Sequence, residues 1–343
     1  MSSDVSTSQL RAALREELAT FPDLHWRIQG LTGGSPAYVV SRILEGLDRP
    51  TLVVAAGDKA AEELVAELQA FLGEKSDDSF LARRVHLFPS REAPPLEMVS
   101  PSVDVEASRT AALYQLAQSK APILVAGVEA LSQWAIPPEA LAASSLYFVV
   151  GDDLYLEELL PRLEAAGYRK VATVDEQGEL AVRGGIVDLW PPGFEYPLRV
   201  ELGGDTVESI RLFDPGDQRS FQPSEDLAVL PSSPVALERM ADPEVRRRIA
   251  DRCEDMLLPS SERRRLDEYL ASGVQFPGIE LLAPYAYGRR TTILDHLPAR
   301  MLLVTVDPPA VEMAVDTLHE GLVEAGEAAR CAGTFHPDPA LLH

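Results

Sequence analysis

Gly30-Leu31-Thr32-Gly33-Gly34-Ser35-Pro36-Ala37 has the outline of a phosphate-binding loop from which the chemistry has been removed. A working loop reads G-x-x-x-x-G-K-[ST]. Glycines let backbone N–H groups wrap the phosphates, the lysine reaches the β/γ oxygens, and the hydroxyl holds Mg²⁺. Here Ser35 stands for the second glycine, Pro36 for the lysine and Ala37 for the hydroxyl residue. Pro36 removes a cation and a backbone donor together. Such a loop can keep its shape while barely holding a nucleotide. Taken alone, a Gly-rich turn reads as an ordinary turn before a helix, so its meaning depends on its neighbours.

Those neighbours have the spacing of an α/β nucleotide-binding domain. Residues 8–23 read as a first helix, and Trp26-Arg27-Ile28 leads into the loop. Thr51–Ala56 is an apolar strand. Asp58 is placed to cap a helix in which Ala61, Leu64, Val65, Leu68 and Leu72 share one face and Gly73 ends the run. Val85–Phe88 is a second strand, Pro89 to Pro101 an extended crossing, Ser108–Ser119 a helix and Pro122–Ala126 a buried strand. Helix and strand in alternation argue for a parallel sheet covered by helices.

The texture changes near residue 145. Leu146–Val150 reads as a strand, and Leu154–Ala166 as a helix capped by Asp152 or Asp153 and ended by Gly167. Short strands then crowd together at Lys170–Val174, Glu179–Arg183, Ile186–Trp190, Leu198–Leu202 and Thr206–Phe213, with Gly203-Gly204-Asp205 as a hairpin turn. This pattern predicts a small α+β domain, residues 146–234, inserted into a helicase-like α/β domain that begins with residues 1–145. Residues 235–330 return to that first domain through a charged helical stretch and the apolar strand Met301–Val306, which suits the sheet interior. A helix over Ala310–Ala325 follows. The tail, 331–343, ends without a structural stop and reads as a cut end or a linker.

Composition narrows the function. Lys and Arg total 31 against 54 Asp and Glu, a net charge of −23, which opposes broad binding to phosphate backbones. The runs Arg246-Arg247-Arg248, Arg263-Arg264-Arg265 and Arg289-Arg290 are the local exceptions. Acidic neighbours make the first two read as charged helix faces. No stretch approaches a membrane span, and the start lacks the pattern of a secretory signal. Cys253 and Cys331 are expected as free thiols in a reducing cytoplasm. Neither Cys331 with His336 nor the acidic row Glu312, Asp316 and Glu320 reads as a metal site; the row reads as a solvated helix face.

In order along the chain, these pieces resemble the N-terminal part of bacterial transcription-repair coupling factor. The resemblance is carried by Leu31-Thr32-Gly33-Gly34, Leu87-Phe88-Pro89, Ser108-Arg109, Val125–Leu131 and Ala166-Gly167-Tyr168-Arg169. It continues through Val182–Pro191, Leu198–Leu202, Ser209–Asp214 and Gln218-Arg219-Ser220, and runs from about residue 30 to 320. The same region is similar to the UvrB damage-verification protein, which keeps an active ATP site. Against that pattern, Thr305-Val306-Asp307-Pro308-Pro309 offers no adjacent Asp-Glu pair, and Phe88–Val103, where UvrB carries an aromatic DNA-gripping hairpin, holds one aromatic residue.

The resemblance implies a degenerate P-loop scaffold without catalytic residues, cofactor or metal of its own. ATP and Mg²⁺ would belong to later translocase domains of the full-length family. It implies that the inserted domain docks UvrA, and it places Arg169 and Arg183 at motif positions for that contact. Gly184 and Gly185 sit at the bend, and Trp190 and Phe194 are apolar candidates nearby, Trp190 also reading as core. RNA polymerase and DNA would be reached only through other domains, and C-terminal domains of the same protein would cover the docking surface. The rival reading is a divergent ATP-binding helicase or NTPase lobe.

Overall fold

A computed structural model of the chain describes residues 25–45, 47–74, 83–92, 96–273, 275–332 and 335–337. The helix expected over residues 8–23 lies outside them. Trp26 to Thr32 forms no regular element, and the turn at Gly33-Gly34 opens into α1 (Ser35–Leu44). Pro36 sits in the first turn of α1, where a missing N–H breaks no helical bond. After β1 (Thr51–Ala55) comes α2 (Asp58–Leu72), which buries Ala61, Leu64 and Leu68 and ends at Gly73 with φ 75°.

Asp58 does not cap α2. Gly57 holds that position, and the Asp58 carboxylate instead accepts hydrogen bonds from the Ser90 N–H at 2.9 Å and the Ser90 hydroxyl at 2.5 Å. The buried Ser90 needs a partner that the local cap does not. Next are β2 (Val85–Phe88), α3 (Val103–Gln118) and β3 (Ile123–Gly127). α3 starts earlier than the expected Ser108, because the Ser102 hydroxyl accepts from the Val105 N–H and acidic side chains occupy its first turn.

β4 (Leu146–Val149) leads to α4 (Leu156–Ala165). Neither Asp152 nor Asp153 caps α4. Asp152 accepts from the Val149 N–H and Asp153 from the Thr206 hydroxyl, so both aspartates serve the turn ahead of the helix. β5 (Arg169–Lys170) is shorter than the expected Lys170–Val174, since the chain leaves the ladder to bury Val174 against Ala181 and Phe213. β6 (Glu179–Arg183), β7 (Ile186–Leu189), β8 (Leu198–Gly203) and β9 (Thr206–Phe213) follow the sequence pattern closely. β10 (Ser220–Ser224) and β11 (Asp226–Val229) were not anticipated. α5 (Pro243–Asp255), α6 (Ser260–Ser272), β12 (Leu302–Thr305) and α7 (Pro308–Ala332) follow, with short helical turns between the longer elements.

Among the described residues, β12-β1-β3-β2 form a parallel sheet, β10-β9-β8-β7-β6-β5 a mainly antiparallel one, and β4 and β11 an antiparallel ribbon. Helices cover both faces of the parallel sheet. α1 and α2 pack on Val53, Ala55, Ile123 and Val125, while α3 and the helical segment that carries Val245, Ile249 and Leu270 pack on Leu52, Val54, Leu124 and Ala126. The chain does return to this sheet through β12, but at its edge rather than in its interior. Among the described residues β12 pairs with β1 alone, and Leu303 is 62% exposed, so its apolar run buries one face only.

The second sheet packs one face on α4 through Leu180, Val187, Leu189, Leu198, Val200 and Ile210. Its return crossing is closely packed. The Ala166 carbonyl accepts from the Ser232 and Ser233 N–H groups, and the Tyr168 hydroxyl donates to the Leu230 carbonyl at 2.7 Å. A Cβ on Gly167 would lie 2.6 Å from Ser233 Cβ, and the φ of +93° there is itself a glycine conformation.

The basic runs are met by acids both between helices and along them, Arg265 with Glu262 being one pair of the second kind. Arg246 of α5 makes a two-pronged pair with Asp267 of α6 at 2.7–2.8 Å, Arg263 pairs with Glu254, and Arg289 with Glu139. Arg248 with Glu244 is the expected pair one turn apart.

Candidate functional site

Alternation along β6 sorts its side chains between two environments. Leu180 and Val182 join the core beneath α4, whereas Ala181 joins Val174, Phe213 and Trp190 on the opposite face, the side on which Glu179 and Arg183 also stand. In register, Ala181 faces Asp188 of β7, Asp188 faces Arg199 of β8, and Arg199 faces Arg211 of β9. This second face therefore carries a row of charged side chains around a small apolar centre.

Asp188 is the anchor of the row, with a side chain only 2% exposed. Arg199 donates to it through Nε at 2.7 Å and Nη2 at 3.0 Å, the fork geometry that suits guanidinium and carboxylate. Arg199 also donates to the Gln218 carbonyl at 3.1 Å and lies over the Phe213 ring at 4.7 Å. The bond to Asp188 holds the Arg199 guanidinium even more firmly protonated than usual. Arg183 reaches the same carboxylate, its Nη2 3.5 Å from Asp188 Oδ2, while its side chain stays 52% exposed.

Arg169 stands in the opposite electrostatic setting. It pairs with Glu179 at 2.6 Å and Glu176 at 3.3 Å, so two carboxylates meet one guanidinium. Burial pushes the Glu179 carboxyl up, but the N–H groups of Asp175 and Glu176 and the Arg169 guanidinium together hold it below its ordinary value. Around Arg183 the ratio is reversed: two guanidiniums share one carboxylate.

Gly184 and Gly185 form the two-residue turn between β6 and β7. Gly184 needs its φ of +60° and has open space beside it, whereas a Cβ on Gly185 would lie 2.8 Å from the Leu202 carbonyl. The second glycine is thus required by β8 next to it. Trp190 is half-buried, and its indole N–H donates to the Phe194 carbonyl at 2.9 Å. Phe194 points elsewhere: it packs on Ala111 and Tyr114 of α3 together with Ala228 and Leu230. Of the six residues singled out from sequence, Arg169, Arg183, Gly184 and Gly185 are exposed on the sheet, Trp190 is half-buried beside them, and Phe194 belongs to the contact between the sheet and α3. Asp188 and Arg199 were missed as site residues. A lone aspartate inside Ile186–Trp190 was the available signal, but its partner could not be read without the register.

The loop at Gly30–Ala37 closes on itself. The Ser35 hydroxyl donates to the Thr32 carbonyl and accepts from the Thr32 N–H, each at 2.7 Å. The Glu67 carboxylate of α2 comes close enough to lie 3.2 Å from a Cβ built on Gly34. A donor that a phosphate would need is already used, and a negative charge stands beside the turn.

Residues 146–234 match the family described as the UvrB interaction domain. The chain is 33% identical over 312 residues to a transcription-repair-coupling factor of Myxococcus xanthus, covering 88% of this chain and 26% of that protein. It is 29% identical over 292 residues to that of Escherichia coli, covering 84% and 24%. Similarity to UvrABC system protein B of Pasteurella multocida is 24% over 304 residues, covering 82% of this chain and 45% of that one. A parallel α/β body that carries a UvrB interaction domain between β3 and β12 defines a UvrB-like protein. Within that class the chain is similar, over this segment, to the transcription-repair-coupling factors. It spans about a quarter of the length of the coupling factors it matches. Among the described residues no helix is long and apolar enough to cross a membrane.

Proposed function

We propose that this chain is a noncatalytic docking module: the arginine-bearing face of its second sheet binds UvrA, and the parallel α/β body holds that face in place without triphosphate chemistry. In the full protein this contact would bring excision repair to stalled RNA polymerase, with polymerase and DNA engaged by other domains. The observation that carries the reading is Arg183, exposed at a glycine bend inside the segment that matches the UvrB interaction domain. An arginine fork with charge to spare is suited to a partner carboxylate, and such contacts often dominate an interface. Titration of UvrA against the parent chain and Arg183→Ala tests it; equal affinities would remove the assignment.

The absence of nucleotide chemistry rests on Pro36, Ala37, the engaged Ser35 hydroxyl and the neighbouring Glu67. Titration with ATP and Mg²⁺ is expected to give no saturable binding in the micromolar range. Micromolar affinity would favour the NTPase reading instead.

A further inference from the structure

We infer that Asp188, locked by Arg199, is a positioning residue that aims Arg183 at the partner. The inference rests on the docking reading above. Arg183 is long and half-exposed; left alone it would sample many rotamers, and ordering it on binding would weaken the complex. The structure supplies the ordering in advance. Asp188 is buried and cannot turn, because Arg199 occupies both of its oxygens and is itself held by the Gln218 carbonyl and the Phe213 ring. One oxygen of that fixed carboxylate then serves as the tether for Arg183 Nη2, at 3.5 Å.

The charge count explains why the tether does not use up the arginine. Arg199 already balances Asp188, so the trio retains one positive charge, and Arg183 has no other ion-pair partner among the described residues. The tether is long enough to be loose and so sets direction rather than strength. On a chain with a net charge of −23, a directed surplus cation marks this point for an acidic partner group.

The test uses the full chain and measures both affinity for UvrA and the thermal midpoint. Asp188→Leu/Arg199→Met replaces a buried ion pair by apolar groups, an exchange that folded proteins often tolerate. It leaves Arg183 present but untethered. We expect the midpoint to be retained and the affinity to fall about tenfold, the cost of ordering one long side chain. In an Arg183→Lys background, where there is no fork to aim, the same exchange should change affinity less than about twofold. If the double exchange unfolds, NMR relaxation of the Arg183 Nε–H group in the parent chain takes its place, and a fully mobile guanidinium overturns the inference. Unchanged affinity in a folded, untethered chain overturns the inference, as does an equal loss in both backgrounds, which is the mark of a purely structural role. If Arg183→Ala itself binds UvrA like the parent, the assignment of Arg183 to the docking surface has failed and the positioning role falls with it; a loss in Arg183→Ala with none in the untethered chain overturns the positioning role alone.

Discussion

The Arg109 guanidinium lies over the Phe88 ring, 4.1 Å from its centre, with both side chains buried. Arg109 donates to the carbonyls of Pro89 and Trp134 and to Gln133 Oε1, tying α3 to the exit of β2 and to the segment after β3. Arg91 pairs with Glu106 beside it. Arg109→Ala leaves a large cavity and the Pro89 carbonyl without a donor, with Arg91 alone still serving the Trp134 carbonyl and Gln133 Oε1, so it should destabilise the fold by about 3 kcal/mol. Arg109→Lys, unable to reach all three, should cost roughly half of that. Urea midpoints measure both; a loss within about 0.5 kcal/mol for the alanine variant contradicts the tie.

Arg183 and Arg169 should not contribute equally to UvrA binding. Arg183→Ala is expected to weaken the complex by about 2 kcal/mol, roughly thirtyfold. Arg169 is already met by two carboxylates, so Arg169→Ala should cost less than about threefold in affinity. The reverse ranking in a binding titration would show that charge surplus does not select the contact.

His86 gives the fold an acid-sensitive step. Burial pushes its imidazole down to about 4 from 6.5. Below pH 6.5 the unfolded chain takes up a proton that the folded chain refuses until about pH 4. Stability is therefore complete above 6.5 and is lost as pH falls across that window, by about 3 kcal/mol in all. His86→Asn should remove most of that slope, leaving a share from His296, which burial also pushes down. Midpoints from pH 4 to 7 with the same slope in both proteins would dismiss His86 as the source.

Leu257 ends α5 in a left-handed conformation, φ 55°, with 89% exposure. A leucine there carries backbone strain without compensating burial, in a position where glycine is the usual residue. Leu257→Gly should raise stability by about 1 kcal/mol, read as a higher denaturation midpoint. A lower midpoint would mean that the leucine has a packing role.

The alternating strands β6 and β9 match the sequence reading because their apolar side chains repeat in step with one buried face. The Gly203-Gly204-Asp205 hairpin was equally plain, since Gly204 adopts the positive φ of 72° that such turns require. β10 was invisible: Ser220 to Ser224 includes Pro223 and shows little burial, so neither periodicity nor composition marks it. β12 misled in the other direction, because Leu302 to Thr305 is apolar enough for an interior strand while lying at an edge. Capping failed at Asp58 and Asp152, where tertiary and turn hydrogen bonds displaced the local one. At the candidate site, resemblance pointed to Arg183, but the pairing of Asp188 with Arg199 needed the register of β7 with β8, which links residues eleven positions apart.

Leu146 and Val229 face each other on the last rung of the β4–β11 ribbon. The polypeptide thus departs and comes home at neighbouring points, like the two wires of one plug. Such a cassette adds little closure entropy to its host sheet, and its length can vary without disturbing the parallel strands on either side. A scaffold of this kind can accept a different module at the same socket.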